Sequence, residues 1–318
     1  MFVDIALQNL ASPPVLFFVL GAAASMARSD LAVPDQVARL LSLYLMMSIG
    51  YRGGLEIAHH GVSLTLAGAL AVGVTLSFAM PFLAERLLRL LTRLGPIDRA
   101  AVAGHYGSIS AVTLAAVLTV TSQIGLPAEG FMVAVAAAME TPAILACLLL
   151  AGTGGAGGRK LLREVFLNGS VVVLIGALAV GAMANPRAAA TVKPFLVDLF
   201  PGFLCLFLLE MGLIAGRGVR DSWRSLTPGL LGFALAMPLL GATLGGGLAL
   251  PLGLSAGGTA VLMTLAASAS YIAVPAALRI ALPQANLGLA LTMAIRVTFP
   301  FNLLLGIPLY LGIAGGLR

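Results

Sequence analysis

The chain of 318 residues is 60% hydrophobic and only 9% charged, and its mean hydropathy of +1.06 lies far outside the range of soluble domains. This excludes a water-soluble module and puts the chain in membrane lipid. The formal net charge of +6 does not call for nucleic acid as a partner, because the cations sit in short loops beside apolar segments, where they set orientation.

Ten apolar segments, each long enough to cross about 30 Å of hydrocarbon, follow in chain order. They centre near Val19, Met46, Val72, Ala111, Ala138, Ile175, Phe207, Ala236, Ser268 and Leu303. The amino terminus lacks a basic stretch with a short apolar core and a cleavage site, so the first segment is expected to insert uncleaved. After the second, His59 and His60 are expected in a loop with no third ligand for a metal. The third contains Ala79-Met80-Pro81, and the fourth is interrupted by GHYGSISAVT, Gly104 to Thr113. His105, just before that interruption, is expected to bond carbonyls that the break sets free. The fifth carries Glu140 and Thr141-Pro142.

TGGAGGRKLLRE, Thr153 to Glu164, has neither the GxxxxGK[ST] spacing nor the preceding strand of a phosphate loop. It reads as a cytoplasmic linker over 153–164 that separates a half at 1–152 from a half at 165–318. The seventh segment holds Glu210, expected to bond across helices; the eighth contains Ala236-Met237-Pro238. The ninth is interrupted by SASYIAVPA, Ser268 to Ala276, and the tenth carries Arg296, Thr298 and Asn302. Cys147 and Cys205 have no CxxC or Cys/His spacing and read as small buried hydrophobes. No nucleophile with its base and no metal set assembles, so an enzyme is not expected.

Ten spans put the odd loops on one side. Those loops hold Arg28, Arg39, Arg86, Arg89, Arg93, Arg99, Arg159, Lys160, Arg163, Arg217, Arg220, Arg224 and Arg279, against Arg52, Arg187, Lys193 and Arg318 opposite. Basic loops stay in the cytoplasm, so both termini are expected on the periplasmic, extracytoplasmic side of the inner (plasma) membrane.

At an offset of about 160, Ala79-Met80-Pro81 aligns with Ala236-Met237-Pro238, Ser108 and Ser110 with Ser268 and Ser270, Leu126-Pro127 with Leu282-Pro283, and Thr141-Pro142 with Phe299-Pro300. Four matches in one order predict a repeat. Five spans per repeat is an odd number, so the second copy enters the membrane inverted. The expected fold is therefore an all-α polytopic membrane protein of about ten transmembrane helices, in two inverted five-helix repeats with interrupted core helices.

Glycine and proline inside a spanning helix free backbone groups that lipid cannot satisfy, so such breaks survive only within protein or beside a cavity. Two inverted breaks can aim half-helix amino termini at one point and make a small-anion site. Its expected residues are Gly107, Ser108, Ile109 and Ser110 from the first break and Ser268, Ala269, Ser270 and Tyr271 from the second, with Tyr271 closing the pocket. Dipoles and hydroxyls alone hold a hydrated monovalent anion weakly, and a bound Na⁺ is the simplest second positive charge. Its expected oxygen ligands are Ser110, Thr113, Glu140, Thr298 and Asn302, with break carbonyls. An Arg296–Glu140 ion pair is a further expectation, with Arg296 either pinning the tenth helix to the fifth or taking part in substrate binding. Formate, acetate or another carboxylate fits the same donors as bicarbonate. A channel, a non-transporting sensor and an intramembrane enzyme are the rival classes; a channel would pass ions without saturation.

GHYGSISAVT, METPAI (Met139 to Ile144), FLLEMGL (Phe207 to Leu213), SASYIAVPAALR (Ser268 to Arg279) and TFPFNLLLGIPLY (Thr298 to Tyr310) resemble the sodium-dependent bicarbonate transporter family of the SbtA type known from cyanobacteria, nearly end to end. The resemblance implies a homotrimer with a gate domain of helices 1, 2, 6 and 7 and a core domain of helices 3–5 and 8–10. It also implies Na⁺-coupled bicarbonate import by an elevator-like cycle and control by a PII-like regulatory protein. Two features depart from it: the linker is shorter than the cytoplasmic segment of cyanobacterial members, which bears on PII-like control, and Arg296 is foreign to the motif.

Overall fold

The computed structural model describes residues 7, 9–60, 63–152, 169–222 and 226–317, and their regular structure is entirely helical. The linker expected at 153–164, Arg224 and Arg318 lie outside the described residues. In the first half the helices are α1 Pro13–Met26, α2 Asp35–His60, α3 Leu64–Leu91, α4 Pro96–Gly107, α5 Ala111–Gln123, α6 Met132–Ala138 and α7 Glu140–Leu150. The second half contributes α8 Gly169–Met183, α9 Pro186–Lys193, α10 Phe200–Ser222, α11 Pro228–Ala249, α12 Ala256–Ala267, α13 Ala273–Ala281, α14 Leu287–Met293, α15 Phe299–Phe301 and α16 Ile307–Gly316. Helix α2 runs through His60, so the backbone at His59 and His60 is helical and not a loop as expected.

The helix starts follow from local chemistry. Proline, whose missing N–H is no loss there, opens α1, α4, α9 and α11. Ser63, Ser110, Asn185, Thr227, Ser255 and Asn286 each cap the helix that follows by accepting from a backbone N–H of its first turn. Interior prolines leave a different mark. Pro300 and Pro308 cannot donate to the carbonyls of Arg296 and Leu304, and π-turns at Ala294–Thr298 and Asn302–Gly306 contain those residues.

Six described segments are long and apolar enough to cross a bilayer: Leu64–Leu91, Pro96–Gln123, Met132–Leu150, Pro186–Arg217, Pro228–Leu252 and Leu287–Gly316. Three shorter apolar helices, Pro13–Met26, Val172–Met183 and Ala256–Ala267, accompany them. Leu40, Leu64, Val180 and Met183 are among the apolar side chains left on the outside, as expected of a surface in contact with lipid.

Helix α1 packs chiefly on α10, and α2 on α8. Both contacts are backbone to backbone at glycine. A β-carbon at Gly21 would overlap the Leu209 carbonyl and one at Gly212 the Phe18 carbonyl; in the other pair, Gly181 abuts the Tyr51 carbonyl and Gly54 the Leu178 carbonyl. Small residues allow this approach and the gain in packing that follows. The two contacts carry the same residue pattern at an offset of about 160. Helices α3 with α4, and α11 with α12, form a second matching set.

Carboxylates clamp the loops of this second set. Glu129 accepts from Ser255 N (2.5 Å) and Ser255 Oγ (3.1 Å), holding the start of α12, while Asp98 in the first turn of α4 accepts from Asn286 N (2.8 Å). Glu85 on α3 takes Arg89 at 3.0 Å and Arg99 at 3.1 Å, tying α3 to α4. The main apolar core runs through Leu114, Met132, Phe233, Leu262 and Ile307, with a smaller cluster around Ile144, Cys147, Val274 and Leu278.

Candidate functional site at the crossing of two breaks

Helix α4 stops at Gly107, Ser108 is extended (φ −98°, ψ 151°), and α5 restarts after Ser110. A β-carbon at Gly107 would run into the Pro81 ring, so glycine lets the end of α4 sit against the interior proline of α3. The second break is built alike: α12 stops at Ala267, Ser268 is extended (φ −83°, ψ 166°), and α13 begins at Ala273.

The two breaks are bonded to each other. Ser270 N donates to His105 O at 2.7 Å, and Ser110 N donates to Ser268 Oγ at 3.0 Å. Ser268 Oγ in turn donates to Leu265 O (2.8 Å), filling a carbonyl at the end of α12. The groups freed at each break are served partly by the other break and partly by its own serines, Ser110 Oγ accepting from Thr113 N and Ser268 Oγ donating to Leu265 O, which is how irregular backbone persists in so apolar a body. His105 Nδ1 bonds Ala101 O at 2.8 Å, one turn back along its own helix.

A cavity of about 10 Å³ lies between the breaks, lined by Met46, Ile109, Ser110, Ala111, Glu140, Ser270, Tyr271, Ile272 and Ala273. Ala111 and Ala273 are the first residues of α5 and α13, so two helix amino termini converge here with their positive dipole ends, and Glu140 joins them from the kink where α6 runs into α7 through the helical Met139. Ser108 is 1% exposed, and its Oγ, like Glu140 Oε2, has no hydrogen-bond partner. Tyr271 packs edge-on against Phe299, ring centroids 5.9 Å apart.

Of the expected site residues, Ile109, Ser110, Ser270, Tyr271 and Glu140 line the cavity. Gly107, Ser108, Ser268 and Ala269 form the chain on either side of it, and Thr113 follows in the first turn of α5, its N–H bonded to Ser110 Oγ at 3.2 Å. Thr298 and Asn302 sit apart. Thr298 Oγ1 donates to Ala234 O (2.8 Å) and accepts from Tyr106 OH (2.7 Å). Asn302 Nδ2 donates to Ala267 O (2.8 Å) and its Oδ1 accepts from Tyr310 OH (3.0 Å). Both hold α11 and α12 to the last rod. The π-turn that holds Arg296 packs against α10 and α11, and among the described residues no ion pair joins Arg296 to Glu140; its Nη1 is buried without a partner.

Sequence reasoning missed a third break, between α6 and α7 at Met139. Ser77 on α3 bridges it, donating to Met139 O at 2.5 Å and accepting from Ala143 N at 3.2 Å. The signal was Pro142, whose absent N–H leaves the Ala138 carbonyl without its helical donor.

Among the described residues there are two larger pockets, of which the first borders the crossing. One of about 420 Å³ is lined by Arg39, Ser42, Glu210 and Ile214 and shares Met46, Tyr271 and Ile272 with the small cavity. The other, about 890 Å³, is lined by Arg52, Glu56, Ser63, Glu129 and Asp198. Arg39 and Glu56 stand near opposite ends of α2, about 25 Å apart along its axis at the α-helical rise.

No curated protein matches the chain. The family model described as the Na⁺-dependent bicarbonate transporter superfamily matches residues 13–315. A match of that extent includes both breaks and everything that packs around them, and the chain belongs to the Na⁺-dependent bicarbonate transporter superfamily.

Proposed function

We propose that the chain is a symporter that imports bicarbonate with Na⁺ at the crossing of the two breaks. Membership in a transporter superfamily makes carriage, not catalysis, its role. The observation that carries the site is the pair of bonds, Ser270 N to His105 O and Ser110 N to Ser268 Oγ, that joins the two breaks. Dipole ends of α5 and α13 and the free Ser108 hydroxyl stabilise the anion. Sodium takes hard oxygens, and the Glu140 carboxylate and Ser110 Oγ supply them within one cavity, with Thr113 adjoining. Thr298 and Asn302 serve this reading as braces behind the site. A space of about 10 Å³ is that of roughly one water-sized sphere. It suits a bare cation, and Tyr271 and Ile272 must withdraw before bicarbonate enters.

The six long apolar segments, with α1, α2, α8 and the α12–α13 rod, make ten spans in this reading. Laying 1–152 on 165–318 exchanges the two glycine contacts, α1 with α10 and α2 with α8, which supports a two-fold axis between inverted repeats. Those four helices act as the gate, and α3–α7 with α11–α16 as the moving core. The pocket at Arg39 opens to the cytoplasm and the pocket at Glu56 to the outside, on the side of both termini, and relocation of the core exposes the crossing to each in turn. A homotrimer in the inner membrane is part of the same reading.

Uptake of labelled bicarbonate into proteoliposomes, with and without an inward Na⁺ gradient, is the test. Saturable, gradient-dependent uptake is expected; equal fluxes in both conditions would remove the coupling, and competition by formate or acetate would widen the substrate class.

A further inference from the structure

We propose that Glu140 makes anion binding at the crossing conditional on a bound cation, barring the anion while Na⁺ is absent and admitting it once Na⁺ is in place. The inference rests on the reading of the crossing as an anion site. Glu140 is 3% exposed, lines the cavity beside Ser110 and Ser270, and leaves its Oε2 without a hydrogen-bond partner. No other residue lining the cavity is charged, and among the described residues no Lys, Arg or His forms an ion pair with Glu140.

The electrostatics then have a definite sign. The two free helix starts, those of α5 and α13, each lend about half a positive charge, and the whole charge of an ionised Glu140 in the same cavity cancels their sum. A second anion entering a site with little water meets like-charge repulsion. A cation seated between the carboxylate and the incoming anion reverses that balance. The repeat shows that the fold itself does not need a carboxylate here. The position matching Glu140 in the second half is Thr298, a neutral residue whose hydroxyl is used to bond Tyr106 and Ala234. Glu140 braces nothing comparable through its Oε2.

The test is equilibrium binding of labelled bicarbonate to the purified full chain, in Na⁺ and in choline buffers of equal ionic strength. Wild type is expected to bind at least about tenfold more weakly in choline, a modest share of what repulsion at such distances allows. In Glu140→Gln the two buffers should agree within about threefold, and Glu140→Asp, which keeps the charge, should retain the Na⁺ requirement. Glu140→Gln that still needs Na⁺ as wild type does overturns the inference, as does loss of binding in both buffers with an unchanged melting temperature. Wild type that binds no bicarbonate in either buffer overturns the underlying site as well, which separates the two failures. Should Glu140→Gln not fold, Glu140→Thr, the residue of the second half, replaces it. If neither folds, wild type must bind Na⁺ without bicarbonate but not bicarbonate without Na⁺, and the opposite order overturns the proposal.

Discussion

Alanine at Gly181 and alanine at Gly176 differ by five positions on α8 and should shift stability in opposite directions. At Gly181 the added carbon falls about 1 Å inside the 3.0 Å approach that β-carbons keep from other atoms, and the atom it meets is the Tyr51 carbonyl oxygen, with Leu55 N close behind. These are backbone atoms of a packed helix and cannot rotate away, so α2 and α8 must separate along a contact that runs much of their length. Overpacking of this kind costs about 1–3 kcal/mol, and a rigid backbone partner puts the value toward the upper end. At Gly176 nothing stands within 4 Å, and replacing a mid-helix glycine should stabilise by about 0.5–1 kcal/mol. Gly21→Ala, at the matching contact of α1 with α10 where Leu209 O is the neighbour, should repeat the Gly181 loss. Unfolding from mild detergent by titrated SDS, followed by far-ultraviolet circular dichroism, reads all three. Shifts of the same sign at Gly176 and Gly181, or opposite signs at Gly21 and Gly181, would refute the close helix contact and its recurrence.

Ser108→Ala removes a hydroxyl with no protein partner, so it should weaken bicarbonate binding by about 1 kcal/mol or more and leave thermal stability unchanged; Ser270→Ala should weaken binding alike, and unchanged affinity in both would reduce the serines to packing. Asn302→Ala strands the Ala267 carbonyl and the Tyr310 hydroxyl in a position of 0% exposure, an expected loss of about 1–3 kcal/mol. That loss should be equal in Na⁺ and choline buffers, since a loss found only in Na⁺ would make Asn302 an ion ligand. Glu129→Ala should lower the melting temperature more than Asp98→Ala, because Glu129 accepts two bonds at the start of α12 while Asp98 accepts one in an exposed setting; the reverse order in thermal melts would contradict it.

The helical class was legible because apolar length and charge placement are properties of single residues. The serine breaks in the fourth and ninth segments were legible too, since glycine, serine and proline act on their own backbone. Partnership was not. That Ser110 N would bond Ser268 Oγ, and not its own helix, depends on two segments about 160 residues apart arriving in register. Thr298 and Asn302 read as ion ligands because their oxygens are hard donors; that each also holds a neighbouring helix, through Ala234 O and Ala267 O, depends on which segments arrive beside them. The third break escaped notice for a subtler reason. Pro142 takes the donor from the Ala138 carbonyl by itself, but the bridge one residue on, where Ser77 from another helix stands between Met139 O and Ala143 N, belongs to the tertiary structure.

An inverted repeat brings like backbone to a point from two sides, and identical halves would present identical chemistry to whatever binds between them. Two unlike ions must be distinguished at one crossing if a carrier is to couple them, so the distinction has to come from positions where the halves differ. Ser108, Ser110, Ser268 and Ser270 match across the repeat and suit the anion, which the paired helix ends serve without preference for either half; Ser110 also faces the cation, but a hydroxyl that has a counterpart in Ser270 does not by itself tell the two ions apart. Glu140 and Thr298 occupy matching positions and do not match in charge. Converting each to the other, as Glu140→Thr with Thr298→Glu, moves the carboxylate from the cavity of Ser110 and Ser270 to a position bonded to Ala234 and Tyr106. Folded protein of that kind should hold the anion without regard to Na⁺, and a double variant that kept wild-type Na⁺ dependence would mean that the cation is recognised by groups both halves share.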